Sequence, residues 1–174
     1  MERRAKRKAR KMILAIDPGT EKSGYVILNG MEILSSGIVD NENMLDILDV
    51  YKEVKNVELV VEMVASYGMA VGKTVFETCV WIGRFIERFS GPYNKIFRRQ
   101  TSTNGVSGVC MTLCHNNRAK DKNIRAAIID LYEPTGGGKI KQIGTKKQPG
   151  PLYGISGHMW SALAVGLTYF LSKK

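Results

Sequence analysis

Met12-Ile13-Leu14-Ala15-Ile16-Asp17-Pro18-Gly19-Thr20 carries the strongest structural signal in the chain. Five apolar residues run unbroken into an aspartate, and a Pro-Gly turn follows at once. An apolar run of that length, closed by turn residues, is the pattern of a strand buried on both faces. Asp17 then stands at the end of a buried strand. A carboxylate is costly there unless it is paired or binds a cation, or bonds the amides of the turn that follows it. The rest of the chain has to decide between these.

Working outward, Ser23 to Leu28 reads as a second strand. Asn29-Gly30 signals a tight hairpin turn, and Met31 to Val39 is a third strand. Asp40 is placed to cap a helix whose apolar positions Met44, Leu45, Ile47, Leu48, Tyr51 and Val54 follow helical spacing. Val57 to Glu62 is a fourth strand, again apolar up to a terminal acid. Residues 63–73 form a loop rich in Gly, Met and Ala. Thr74 to Glu77 has the form of a capping box opening a helix to about Phe89, with Val80, Trp81, Phe85 and Ile86 as buried positions. Tyr93 to Phe97 is a short fifth strand, and residues 101–120 read as irregular. Asp121 is placed to cap a helix from Lys122 to about Tyr132. A long loop over 135–155 carries Lys139, Lys141, Lys146 and Lys147, and Ser156 can cap a last helix to about Leu171. This order gives an α/β fold, a mixed five-stranded sheet flanked by helices. Asp17 and Glu62 both fall at C-terminal strand ends, where open α/β sheets bind ligands.

The chain of 174 residues is long enough for one domain with a real core. No apolar run approaches the ~18–20 residues of a membrane span, and the basic N-terminus has no apolar stretch behind it. Three cysteines, Cys79, Cys110 and Cys114, have no framework spacing, which fits a reducing compartment. The expectation is a soluble protein of the cytoplasm. The net charge is +10. Residues 1–11 hold seven basic residues against Glu2, so +6 lies in this arm and +4 in the body. A flexible basic arm (1–11) ahead of one domain (12–174) points to a polyanionic partner bound with salt-dependent affinity.

Ile13 to Thr20 followed by Ser23-Gly24-Tyr25 resembles the opening of RuvC-type Holliday-junction resolvases, which have the RNase H-like fold. Val60-Val61-Glu62 is similar to that family's second acidic strand, Val80-Trp81-Ile82-Gly83 to the helix after it, and Arg99-Gln100 to a pair after the fifth strand. His158-Met159-Trp160-Ser161-Ala162-Leu163-Ala164 resembles its last motif. The resemblance runs over about residues 12–171. The segment Phe76 to Phe85 and the loop Gly144 to Gly157 look like those of phage-encoded members, for which the compartment would be the host cytoplasm.

The resemblance implies a homodimeric endonuclease that resolves four-way junctions and other branched DNA. It implies Mg²⁺ or Mn²⁺, two per site, ~3.5–4 Å apart, one activating water and one stabilising the leaving oxygen. Asp17 would bridge both ions and Glu62 would hold one. His158 and Ser161, spaced i and i+3 on the last helix, would face the same side. Ser161 is a departure, because the family usually carries aspartate there. A serine could hold an ion-bound water, and imidazole at His158 favours Mn²⁺ over Mg²⁺. Arg98, Arg99, Gln100, Lys120, Lys122, Arg125, Lys146 and Lys147 are the DNA-contacting candidates. Tyr67, Met69 or Phe76 could wedge into a junction, though core packing is the plainer reading of Phe76. The helix from Thr74 to Phe89 would form the dimer face.

Other motifs carry less. Gly68 to Thr74 imitates a phosphate loop but has one residue too few between its glycines. Cys110, Cys114 and His115 lack a fourth zinc ligand. Asp17-x-Gly19-Thr20 also resembles the phosphate loop of actin-like kinases, which need a second domain that this chain has no room for. A branched-DNA-binding module without catalysis is the alternative that Ser161 supports.

Overall fold

The computed structural model describes residues 11–66, 68, 70–100 and 105–173. Residues 1–10 of the basic arm, and the wedge candidates Tyr67 and Met69, lie outside them. Five strands form one sheet: β1 (Met12–Asp17), β2 (Lys22–Asn29), β3 (Glu32–Asp40), β4 (Val57–Met63) and β5 (Tyr93–Phe97), in the order β3-β2-β1-β4-β5. β1 pairs antiparallel with β2 and parallel with β4, and β4 pairs parallel with β5. The central place of β1 explains its unbroken apolar run, because Ile13, Leu14, Ala15 and Ile16 are covered on both faces.

The alternation of side chains along each strand sorts the core into two halves. Ile13, Ala15, Val26, Leu28, Val60 and Ile96 face α3 (Val109–Cys114), α4 (Asp121–Asp130) and α5 (Met159–Ser172). Leu14, Ile16, Ile27, Leu59 and Val61 face α1 (Asn41–Lys52) and α2 (Lys73–Phe89), which contribute Met44, Leu48, Ile82, Phe85 and Phe89. α5 lies close on the sheet because Gly166 has no side chain. A Cβ there would stand 2.8 Å from Leu28 Cδ1 and 3.0 Å from the Ala15 Cβ.

Several local expectations differ. Residues 101–120 are not wholly irregular, since Val109–Cys114 is helical, a short element whose Cys, Met and Thr give no clear period. Asp40 does stand at the N-cap position of α1, but its side chain makes no cap bond and pairs with Lys22 at 3.3 Å. Thr74 is not a cap, because α2 opens two residues earlier than such a cap implies, with Gly72 as its N-cap. Ser156 is not a cap either, and His158 stands at the N-cap position of α5. Phe76 and Val80 are 61% and 63% exposed. They lie on the outer side of α2, where helical periodicity alone cannot tell a core face from a free one.

Candidate active site

The turn after β1 is built by side chains that come from elsewhere. Gly19 N–H donates to Ser23 Oγ at 3.3 Å, Ser23 Oγ–H donates to Asn41 Oδ1 at 2.6 Å, and Asn41 Nδ2–H donates to the Gly19 carbonyl at 3.0 Å. Ser23 and Asn41 are fully buried, so this closed ring of bonds fixes where β1 ends and where Asp17 points. Nothing in the sequence pattern singled out Asn41. Its clue was a polar side chain at the first position of an amphipathic helix, which reads equally well as an ordinary helix start.

Asp17 and Glu62 come from adjacent parallel strands. Asp17 is opposite Gly24 in the β1–β2 register. A Cβ on Gly24 would stand 2.7 Å from the His158 backbone, so glycine there lets the start of α5 approach the sheet directly beside Asp17. His158 Nδ1 accordingly pairs with Asp17 Oδ2 at 2.9 Å. Burial pushes the Asp17 carboxyl above its ordinary value, against the pull of His158 and Arg98. Burial also pushes Glu62 up to about 7, opposed by the Arg98 guanidinium and reinforced by the charge of Asp17.

Arg98, just past β5, is the hub of the site. Its Nε–H donates to Glu62 Oε1 at 2.8 Å and its Nη2 to Glu62 Oε2 and Ser161 Oγ, both at 3.2 Å. Its Nη1 donates to Asp121 Oδ1 at 2.9 Å. Burial disfavours its charge, but Glu62 and Asp121 outweigh that and raise its pKa. α3 holds its backbone, as the Cys110 N–H donates to the Arg98 carbonyl at 2.8 Å. The structure therefore brings Asp17, Glu62, His158, Ser161 and Arg98 together. Asp121, which the sequence offered only as a cap, joins them.

A cleft of about 250 Å³ opens over Asp17, Glu62 and Arg98. Arg98 also walls a second of about 430 Å³, with Asp121, Lys122, Arg125, Trp160 and Ser161. There the Arg125 guanidinium lies 4.6 Å from the centre of the Trp160 ring. Of the other basic candidates, Lys120 is exposed at the start of α4 and Arg99 lies beside the buried Cys110 sulfur. Gln100 is exposed, and Lys146 and Lys147 line neither cleft. Among the described residues, no three or more His, Cys, Asp and Glu side chains form a ready metal cage. Both oxygens of Glu62 are turned to Arg98. Cys110 is buried and reaches the Ala119 carbonyl, so it is a core residue and not one of a zinc set.

No protein-family model and no curated protein sequence matches the chain. Among solved structures it is similar to RuvC of Thermus thermophilus, 16% identical over 93% of this chain and 95% of that one, with a TM-score of 0.56. It is similar also to T. thermophilus RuvC in complex with Holliday junction substrate, 15% identical over 94% of this chain and 95% of that one, with a TM-score of 0.58. The fold is thus the RuvC-like, RNase H-like one: a mixed five-stranded sheet with flanking helices. No helix among the described residues is long and apolar enough to cross a membrane.

Proposed function

We propose that this protein is a divalent-metal-dependent endonuclease that cuts branched DNA, with four-way junctions as its substrate. The observation that carries the reading is the pair Asp17 and Glu62. A half-buried and a buried carboxylate from neighbouring strands, both with raised pKa, lie at the edge of one cleft. Arg98 offsets only part of the cost of charging this pair, and a hard cation would offset more. The similarity to a RuvC solved with a Holliday junction supports the choice of substrate.

Mg²⁺ or Mn²⁺ fits the donors at Asp17 and His158, with Glu62 beside them. Bound there it would polarise water and neutralise charge on a phosphodiester. The chain's own residues do the rest. Gly24 and the Ser23–Asn41 ring orient the Asp17–His158 pair. Lys122 and Arg125 at the larger cleft are placed to neutralise flanking phosphates. The exposed apolar residues Phe76 and Val80 on α2 support a dimer face, and a two-fold assembly suits a four-way substrate.

The test is cleavage of a synthetic four-way junction, with linear duplex as control, in Mg²⁺ and in Mn²⁺. The reading expects the junction to be cut, the duplex spared and Mn²⁺ to be the better ion. Equal cutting of both DNAs would remove the junction claim and keep the nuclease. A second reading, binding without cleavage, draws on Glu62 being held by Arg98 and on serine at position 161. Tight junction binding with no cleavage in either ion would establish it.

A further inference from the structure

Arg98 fills the space between Glu62, Asp121 and Ser161. Both oxygens of Glu62 accept from it, Ser161 Oγ accepts from the same Nη2, and Asp121 accepts from Nη1. Its partners come from β4, α4 and α5, and its side chain is 25% exposed. A surface cation swung inward would not be held from three elements and by its own backbone carbonyl. The guanidinium is built into the site. Ser161 is neutral and adds no charge to attract another ion. A second divalent ion placed here would also meet the guanidinium at short range, a repulsion that a partly dry site does not screen.

We infer that each chain takes one divalent cation, at Asp17 and His158, and that the Arg98 guanidinium supplies the fixed positive charge in place of a second. The inference rests on the nuclease reading. It explains why serine stands at 161. An aspartate there would carry a charge for an ion that Arg98 makes unnecessary, while a hydroxyl simply accepts the guanidinium's spare N–H. Arg98 and Ser161 are one unit, and exchanging either alone would not create a second ion site.

The experiment counts Mn²⁺ bound per chain by electron paramagnetic resonance, with junction cleavage measured on the same samples. Wild type should bind one ion without spin coupling. The double variant Arg98→Ala/Ser161→Asp should bind two, with the coupled spectrum of ions ~3.5–4 Å apart. Should the double variant not fold, Arg98→Gln keeps a donor for Glu62 and should bind its single Mn²⁺ about tenfold more tightly, since a nearby like charge is gone. Two coupled ions in the wild type, or unchanged Mn²⁺ affinity in Arg98→Gln, would overturn the inference. Two ions with cleavage would do so while leaving the nuclease reading intact. One ion without cleavage would support the ion count and overturn the nuclease. No bound ion would overturn both.

Discussion

Strand β4 carries two glutamates, Glu58 and Glu62, that point to the same face of the sheet and are 8% and 9% exposed. Similar solvent exposure leaves them in opposite states, because Glu62 is packed far deeper among protein atoms and bears the larger desolvation cost. Burial works against the charge of Glu58, yet Lys11 and the Tyr169 hydroxyl more than offset it, and its pKa is lowered. Tyr169 O–H donates to it at 2.5 Å, and Asn94 Nδ2–H in turn donates to that hydroxyl at 2.9 Å. Glu62 has Arg98 but also Asp17 and Asp121 around it, and its pKa climbs to about 7. The same helix, α5, serves both ends. It offers Tyr169 to Glu58 and the His158–Ser161 turn to the acids at Asp17 and Glu62. Surface exposure alone therefore does not mark a functional carboxylate. Depth and a second acid close by mark Glu62, which burial, Asp17 and Asp121 raise against the pull of Arg98, while Lys11, Tyr169 and Lys173 lower Glu58.

The largest expected effect falls at the Asp17–Glu62 end of the sheet. Asp17→Asn should lower single-turnover junction cleavage about 10³-fold or more, the equivalent of several kcal/mol of lost charge stabilisation. Its thermal midpoint without metal should not fall, because a costly buried charge is removed. A variant that still cuts would break the assignment.

Gly24→Ala comes next. The added methyl meets the His158 backbone, so the start of α5 must shift away from Asp17. Overpacking of this kind costs about 1–3 kcal/mol of stability, and cleavage should drop about 10²-fold through misplacement alone. Denaturant unfolding and rate measurements on one preparation separate the two losses.

At the other end of β4 the sign reverses. Tyr169→Phe should cost about 1–3 kcal/mol, since Glu58 stays buried with a partner missing, and should leave the cleavage rate of folded protein unchanged. The Lys11 contribution is smaller, because Lys11 is largely exposed and solvent screens it.

The pH dependence sharpens the same contrast. Glu62 and Asp17 hold their protons more tightly folded than unfolded. Their contribution to stability is present below the ordinary carboxylate range, and for Glu62 it is lost as pH rises through about 7. Glu58 is shifted down, so its contribution is present above that range and lost as pH falls. Metal-free protein should therefore melt at lower temperature at pH 8 than at pH 6, and Glu62→Gln should flatten that slope. Adding Mn²⁺ at pH 8 should restore the midpoint.

The smallest effect on rate belongs to the basic arm. Deleting residues 1–10 should weaken junction binding and flatten its salt dependence, with cleavage at saturating protein within about twofold of the intact chain.

Much of the sheet was legible because β1 is covered on both faces and reads as a continuous apolar run ending in an acid, as β4 does from Leu59 to Glu62. The turn chemistry at Pro18-Gly19 fixed where β1 stops, and that at Asn29-Gly30 fixed the β2–β3 hairpin. Less was legible where one residue type serves two purposes. Phe76 and Val80 are apolar at helical spacing, yet face outward. Thr74 and Ser156 are good capping residues that the chain does not use as caps, and Asp40 stands at an N-cap position without making a cap bond. At the site, Asp17 and Glu62 could be read from strand ends, whereas His158 and Ser161 were named only through the family resemblance. The role of Arg98 could not be inferred, because a basic residue beyond a strand reads the same whether it faces solvent or three buried partners. Asn41 and Gly24 were hidden for a related reason. Their importance lies in what the tertiary fold brings against them.

The most direct test places the two glutamates side by side. Glu62→Gln and Glu58→Gln, both verified as folded, are compared in single-turnover cleavage of a four-way junction with Mn²⁺. Glu62→Gln should lose about 10³-fold in rate, while Glu58→Gln should cut at the wild-type rate with a lowered thermal midpoint. Equal losses in both, or a loss confined to Glu58→Gln, would contradict it.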